Sequence, residues 1–235
     1  MTDILSGLMQ ETISGIALGC IYALIALGFT LIYKATEVVN FSQGEIMMVG
    51  AYMHFFFLNQ FITLSGGLNA WVFLLAFIGS VIFAVLFGII LDFIINRPLK
   101  GEPVFSIIMA TISLAIILRS LTAMLAGPLS LIPISPFGDQ TFVVSGIVIS
   151  ILDLSIIFFA IIMMLIFYYF FNYTKWGVAM KATSADSEAA QLVGIPVNRV
   201  YRYVWIFASI VGVLSGIMLA PRMALMDTSM AYLGL

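Results

Sequence analysis

ISGIALGCIYALIALGFTLIY, residues 13–33, runs for 21 residues without a charged side chain. At 1.5 Å per residue a helix of that length measures about 31 Å, enough to cross a hydrocarbon core of about 30 Å. Comparable apolar runs recur at 46–64, 71–91, 104–125, 154–171 and 203–221, the fourth interrupted by Arg119. Lipid offers a backbone no hydrogen-bond partner, so each run predicts a helix that satisfies itself. Composition agrees: 63% of the 235 residues are hydrophobic, mean hydropathy is +1.20 and 9% are charged. A soluble domain carries roughly a quarter charged residues and could not coat itself with so few. The sequence predicts an all-α, polytopic helical membrane protein with about six transmembrane helices in one membrane domain over 1–235. The N-terminal MTDILSGLMQETIS lacks a basic region and leads into a run too long for a cleavable signal peptide.

The basic residues set an orientation. Lys34 follows the first run, Arg97 and Lys100 the third, and Lys175, Lys181, Arg199 and Arg202 lie between the fifth and sixth. The alternate connections, 65–70 and 126–153, contain no Lys or Arg. The positive-inside rule therefore places the basic connections in the cytoplasm and both termini outside, with Arg222 as a single exception. The net charge of −2 is spread without a basic stripe, so no nucleic-acid partner is expected. Cys20 and His54 each stand alone, which leaves no disulfide framework or metal site to expect, and no cofactor motif is present.

One polar cluster interrupts this apolar chain: NFSQGE, residues 40–45, at the entrance of the second run. Ser42 and Glu45 have capping-box spacing, in which the Ser oxygen accepts from the N–H of Glu45 and the carboxylate reaches back. That accounts for two of the four polar residues and leaves Asn40 and Gln43 without a role. A part in permeation or gating is the alternative, because an ionisable group near membrane depth is costly. Arg119 is expected to snorkel or to pair with a carboxylate. His54, Asn59 and Gln60 are expected near the outer interface. Tyr22 could face a solute path or simply pack. Gly15/Gly19 and Gly212/Gly216 have the spacing that lets membrane helices approach closely. GPLSLIPISPFGD, 127–139, reads as an outer loop that could receive a binding protein.

Two stretches carry a resemblance. Residues 15–52 contain Gly19, Tyr22, Ala23, Leu24, Ala26, Leu27, Gly28, Leu31, Ile32 and Tyr33. They continue with Asn40-Phe41-Ser42, Gly44-Glu45 and Gly50-Ala51-Tyr52. This pattern resembles that of LivH-type permeases, membrane subunits of ATP-binding-cassette importers for branched-chain amino acids, whose family also includes urea and short-amide importers. The second stretch is the polar segment 174–202. Its Thr183-Ser184-Ala185-Asp186 offers a further capping box, 185–193 reads as a short helix, and Gly194 and Pro196 stop it. Glu188-Ala189-Ala190 with Gly194 is similar to the E-A-A-x-x-x-G loop of importer permeases, which seats on an ATPase subunit.

The resemblance implies a single transmembrane permease domain and a bacterial or archaeal inner-membrane location. It implies two ATPase subunits, a second related permease or a second copy, a periplasmic or lipid-anchored solute-binding protein, and surrounding membrane lipid. Asp186, Glu188, Ala189, Ala190 and Gly194 would couple to the ATPase. Tyr22, Asn40, Gln43 and Glu45 would belong to the pathway or its gate. LivH-type permeases usually continue with further helices beyond the equivalent of 227–235, so the resemblance leaves two readings: a natural short variant, or a chain that lacks the last spans of the family. No phosphate-loop motif occurs, no serine-nucleophile motif or pair of mid-membrane aspartates suggests an intramembrane enzyme, and ATP hydrolysis is assigned to separate subunits. An ion-coupled carrier or channel, with Glu45 or Arg119 sensing ions, is the competing class.

Overall fold

The apolar runs do form the helices, and polar residues at their ends are drawn in with them. A computed structural model describes residues 2–37, 39–99, 102–127, 131–134, 140–144, 147–223 and 226–234. Lys100 and most of the 127–139 loop lie outside the described residues. Among those described, the helices are α1 (Thr2–Thr36), α2 (Gln43–Ser65), α3 (Ala70–Leu91), α4 (Val104–Ala126) and α5 (Ile151–Tyr173). They continue with α6 (Lys175–Ala185), α7 (Ser187–Leu192) and α8 (Val197–Leu219). Six of these, all but α6 and α7, are long and apolar enough to cross a membrane. The protein is an all-α polytopic membrane protein. At 35 residues α1 is about 52 Å long, so it must tilt or project beyond the hydrocarbon layer.

The helix α8 is the core of the bundle. Its side chains are largely buried, whereas α3, α4 and α5 turn most of their surface outward. Those outward faces carry Leu75, Ile82, Leu86, Ile116, Phe158 and Leu165, an apolar coat suited to lipid. The inward stripe of α8 is built from Ala208, Ser209, Gly212, Ser215 and Gly216. Small residues there let α2 come within backbone contact. A Cβ on Gly216 would lie 2.2 Å from the Met47 carbonyl oxygen, and one on Gly50 would lie 2.6 Å from Val213 Cα. The Gly212/Gly216 pair therefore packs within the chain. Gly15 and Gly19 meet nothing within 4 Å, so the matching stripe on α1 faces away from the described residues of the bundle.

Three features depart from expectation. The connection at 126–153, for which no strand was expected, includes an antiparallel hairpin of β1 (Thr141–Val144) and β2 (Ile147–Ser150), which leads directly into α5. The last turn of α3 widens into a π-helix at Asp92–Asn96. After α8 the chain makes a 3-10 turn at Ala220–Arg222, and a second 3-10 segment, Thr228–Gly234, packs back onto α2.

Candidate functional site

Polar residues 40–45 sit deep in the bundle. Gln43, the first residue of α2, donates from Nε2 to the carbonyl of Ala208 at 3.2 Å, and Ala208 is the central residue of α8. Gly28 of α1 allows this approach, since a Cβ there would lie 2.3 Å from Gln43 Nε2. The chain leaving α1 at Thr36 thus re-enters the bundle before α2 begins. Asn40, Ser42, Gln43 and Glu45 are all buried.

The expected capping box does not form. Ser42 is the N-cap residue, but its side chain makes no cap bond and its backbone lies at φ −90, ψ 7. Its backbone N–H and hydroxyl instead donate to Asn40 Oδ1, at 3.1 and 2.6 Å. Asn40 outcompetes the helix because its carbonyl lies two residues back, the geometry of an Asx turn. Glu45 turns the other way and accepts from the guanidinium of Arg119 on α4. Burial drives the choice: a carboxylate removed from water needs a cation more than it needs an N-terminal N–H. Arg119 also lies over the Tyr232 ring, 4.0 Å from its centroid. A Cβ on Gly44 would meet the Ala231 carbonyl oxygen at 2.2 Å, so the segment 228–234 closes tightly over this motif.

A cavity of about 120 Å³ opens beside Asn40. Its polar lining is Thr36, Asn40, Asn96, Thr111, Tyr201 and Trp205, drawn from α1, the 37–42 segment, the π-turn, α4 and α8. Asn40 Nδ2 and Trp205 Nε1 are buried without partners among the described residues, two donors available to a polar solute or water. Tyr22 does not line it; at 41% exposure it sits on the outer surface of α1.

Ionic clasps that sequence reasoning missed bracket this region. Asp92, buried in the π-turn, accepts from Asn96 Nδ2 at 2.7 Å and pairs with Arg97 at 3.4 Å and with Arg202 of α8 at 3.5 Å. Asp92 thereby joins two walls of the cavity, since Asn96 and Tyr201 are neighbours of the clasp. At the opposite end Asp153 of α5 accepts from Ser14 of α1 at 2.7 Å and from Arg222. Arg222, the exception to the charge rule, is held by that carboxylate. His54 is buried between α2 and α3; its Nδ1 lies 3.0 Å from Ser80 Oγ, whose proton goes to the Ala76 carbonyl. Asn59 and Gln60 remain exposed.

The 174–202 segment also has its own order. The Thr183 capping box is not formed, because Thr183 is buried inside α6. Asp186 is the cap, accepting from the N–H groups of Glu188 and Ala189, each at 2.9 Å. The short helix therefore begins at Ser187, and Gly194 ends it at φ +87, a conformation that glycine adopts without strain. Ala190 is buried beneath α7, while Leu192 and Val193 are 89% and 78% exposed.

A family described as "Branched-chain amino acid transport system / permease component" matches residues 12–234. The chain belongs to that family. LivH of Salmonella typhimurium, a high-affinity branched-chain amino acid transport system permease protein, is 26% identical over 216 residues, covering 90% of this chain and 70% of its own. BraD of Pseudomonas aeruginosa, named for the same kind of system, is 26% identical over 96% of this chain and 75% of its own. A probable LivH from the archaeon Methanocaldococcus jannaschii is 29% identical over 83% of this chain and 61% of its own. No solved structure matches the chain. The matched residues span both stretches that carry a resemblance, 15–52 and 174–202.

Proposed function

We propose that this chain is the permease subunit of an ATP-driven importer for branched-chain amino acids, with both termini outside and the α6–α7 segment in the cytoplasm. The observation that carries this reading is the family match over residues 12–234, with relatives named for branched-chain amino acid transport. Energy comes from two separate ATPase subunits, which α7 engages through Asp186, Glu188, Ala189, Ala190 and Gly194. The exposed Leu192 and Val193 support a protein contact, since apolar side chains outside the lipid layer call for a partner. A second permease completes the pathway, and a solute-binding protein delivers to its outer mouth.

Asn40, Gln43 and Glu45 belong to the gate, and the cavity beside Asn40 is the inner vestibule of the pathway. Movement of α7 passes through Pro196 into α8 and reaches the Asp92–Arg202 clasp, whose release widens the vestibule. The ion-coupled alternative is less well supported. A carboxylate that senses an ion gradient has to be free to change partners, and Glu45, Asp92 and Asp153 each hold an arginine. The reading is tested by reconstituting the chain with its permease, ATPase and binding-protein partners and following labelled leucine into vesicles. Uptake that requires ATP, together with no hydrolysis by this chain alone, is the expected result. Uptake driven by an ion gradient without ATP refutes it.

A further inference from the structure

A second, larger depression of about 340 Å³ lies on the lateral surface, away from the vestibule. Its walls are Leu27 and Leu31 of α1 and Met164 and Phe167 of α5, its floor is Val204 of α8, and α6 covers one end with Met180. This depth of apolar surface between two membrane helices suits hydrocarbon. At its rim the chemistry changes abruptly: Lys34 of α1 and Lys181 of α6 stand there with Asn172. No carboxylate lines the depression. Lys181 Nζ donates to Asn172 Oδ1 at 2.7 Å, which leaves two of its three protons free, and Lys34 makes no ion pair among the described residues.

The rim lies at headgroup level. Exposed Tyr168 lines the depression, and further exposed rings stand on the same helix ends: Tyr33 next to Lys34 in α1, Tyr169 and Tyr173 in the last turns of α5, and Trp176 at the start of α6. Such rings settle where lipid tails give way to headgroups. We propose that this groove binds one anionic glycerophospholipid, with an acyl chain between α1 and α5 and its phosphate held by Lys34 and Lys181. A zwitterionic lipid would present the same phosphate with a cation beside it, so two adjacent lysines favour the net-negative headgroup. The lipid then ties α6, which leads into the coupling segment, to α1 and α5.

Purified protein is delipidated in detergent and titrated with phosphatidylglycerol and phosphatidylcholine, and bound lipid is counted by native mass spectrometry. One phosphatidylglycerol is retained in preference to phosphatidylcholine. In Lys34→Gln/Lys181→Gln its affinity falls at least tenfold, from about fivefold per lysine, while Lys175→Gln, outside the groove, leaves it unchanged. Thr30 of α1 also lines the groove; Thr30→Trp fills it without altering charge and displaces the same lipid, which separates occupancy from any folding defect of the charge variants. Equal retention of both lipids, or undiminished retention in the double variant, overturns the proposal. A photo-crosslinker at Thr30 that labels a protein chain and no lipid overturns it in favour of a polypeptide occupant.

Discussion

Replacing Arg119 by Gln exposes how the 40–45 motif is held. The substitution leaves the Glu45 carboxylate, at 0% exposure, without its cation. Removing one member of a buried pair costs about 3–5 kcal/mol because the orphaned charge stays buried. The reverse substitution, Glu45→Gln, is milder. It strands Arg119, but that side chain is 26% exposed and retains the Tyr232 ring at 4.0 Å. A partly wet guanidinium over an aromatic face keeps about 1 kcal/mol of its stabilisation, so a loss of roughly 1–2 kcal/mol is expected. The double variant buries no unpaired charge and should recover much of the deficit, giving a coupling energy of about 2 kcal/mol in a double-mutant cycle. The assay is denaturant unfolding of the chain in bicelles, followed by helicity. Had Glu45 served as a helix cap, Glu45→Gln would cost only a few tenths of a kcal/mol, and Arg119→Gln would leave α2 unaffected. Single losses that add to within about 0.5 kcal/mol therefore refute the pair.

Gly216→Ala should destabilise the chain by about 1–3 kcal/mol, since its Cβ would overlap the Met47 carbonyl, whereas Gly19→Ala, with nothing within 4 Å, should be neutral or slightly stabilising in the same unfolding assay. Asp186→Ala removes the cap of α7 at a local cost of about 1 kcal/mol; co-purification of the ATPase subunits should fall while the span helices keep their unfolding midpoint. Asp92→Asn frees Arg202 and Arg97, both substantially exposed, so the stability change should stay near 1 kcal/mol, while solute moved per ATP hydrolysed drops several-fold; unchanged coupling refutes the clasp. A cysteine at Ser187 should react with a membrane-impermeant reagent only from the cytoplasmic side, and one at Leu68 only from outside; reversed labelling refutes the orientation.

The spans were legible because lipid imposes one rule, about 20 predominantly apolar residues per crossing, and residues 13–33 meet it without a charged side chain. Their polar ends were not. Hydropathy halts at Ile46, yet α2 begins at Gln43, because Gln43, Gly44 and Glu45 are solvated by protein rather than by water. The Ser42–Glu45 spacing fitted a cap, but the competitors for those atoms, Asn40 and Arg119, are decided by local turn geometry and by a helix 74 positions away. Asp92 and Asp153 looked like ordinary span ends for the same reason: Arg202 and Arg222, which tie them to the far end of the chain, are distant in sequence. The hairpin at 141–150 did leave a trace, β-branched runs either side of Ser145-Gly146. The short helix of the polar segment was readable from its stop residues, and its start slipped because Asp186 is a better acceptor for first-turn N–H groups than Thr183.

The glycine-lined contact between α2 and α8 has a mechanical consequence. Where Gly216 abuts the Met47 carbonyl and Gly50 abuts Val213 Cα, main chain rests on main chain. Side-chain contacts absorb displacement by changing rotamer; peptide planes have no such slack. The two helices therefore form one stiff strut, and compliance is left to its ends: the Pro196 corner at the base, and at the side the π-turn, whose loosened ladder bends at small cost. A tilt imposed at Val197 should therefore reach Gln43, bonded to Ala208 halfway along α8, with little loss.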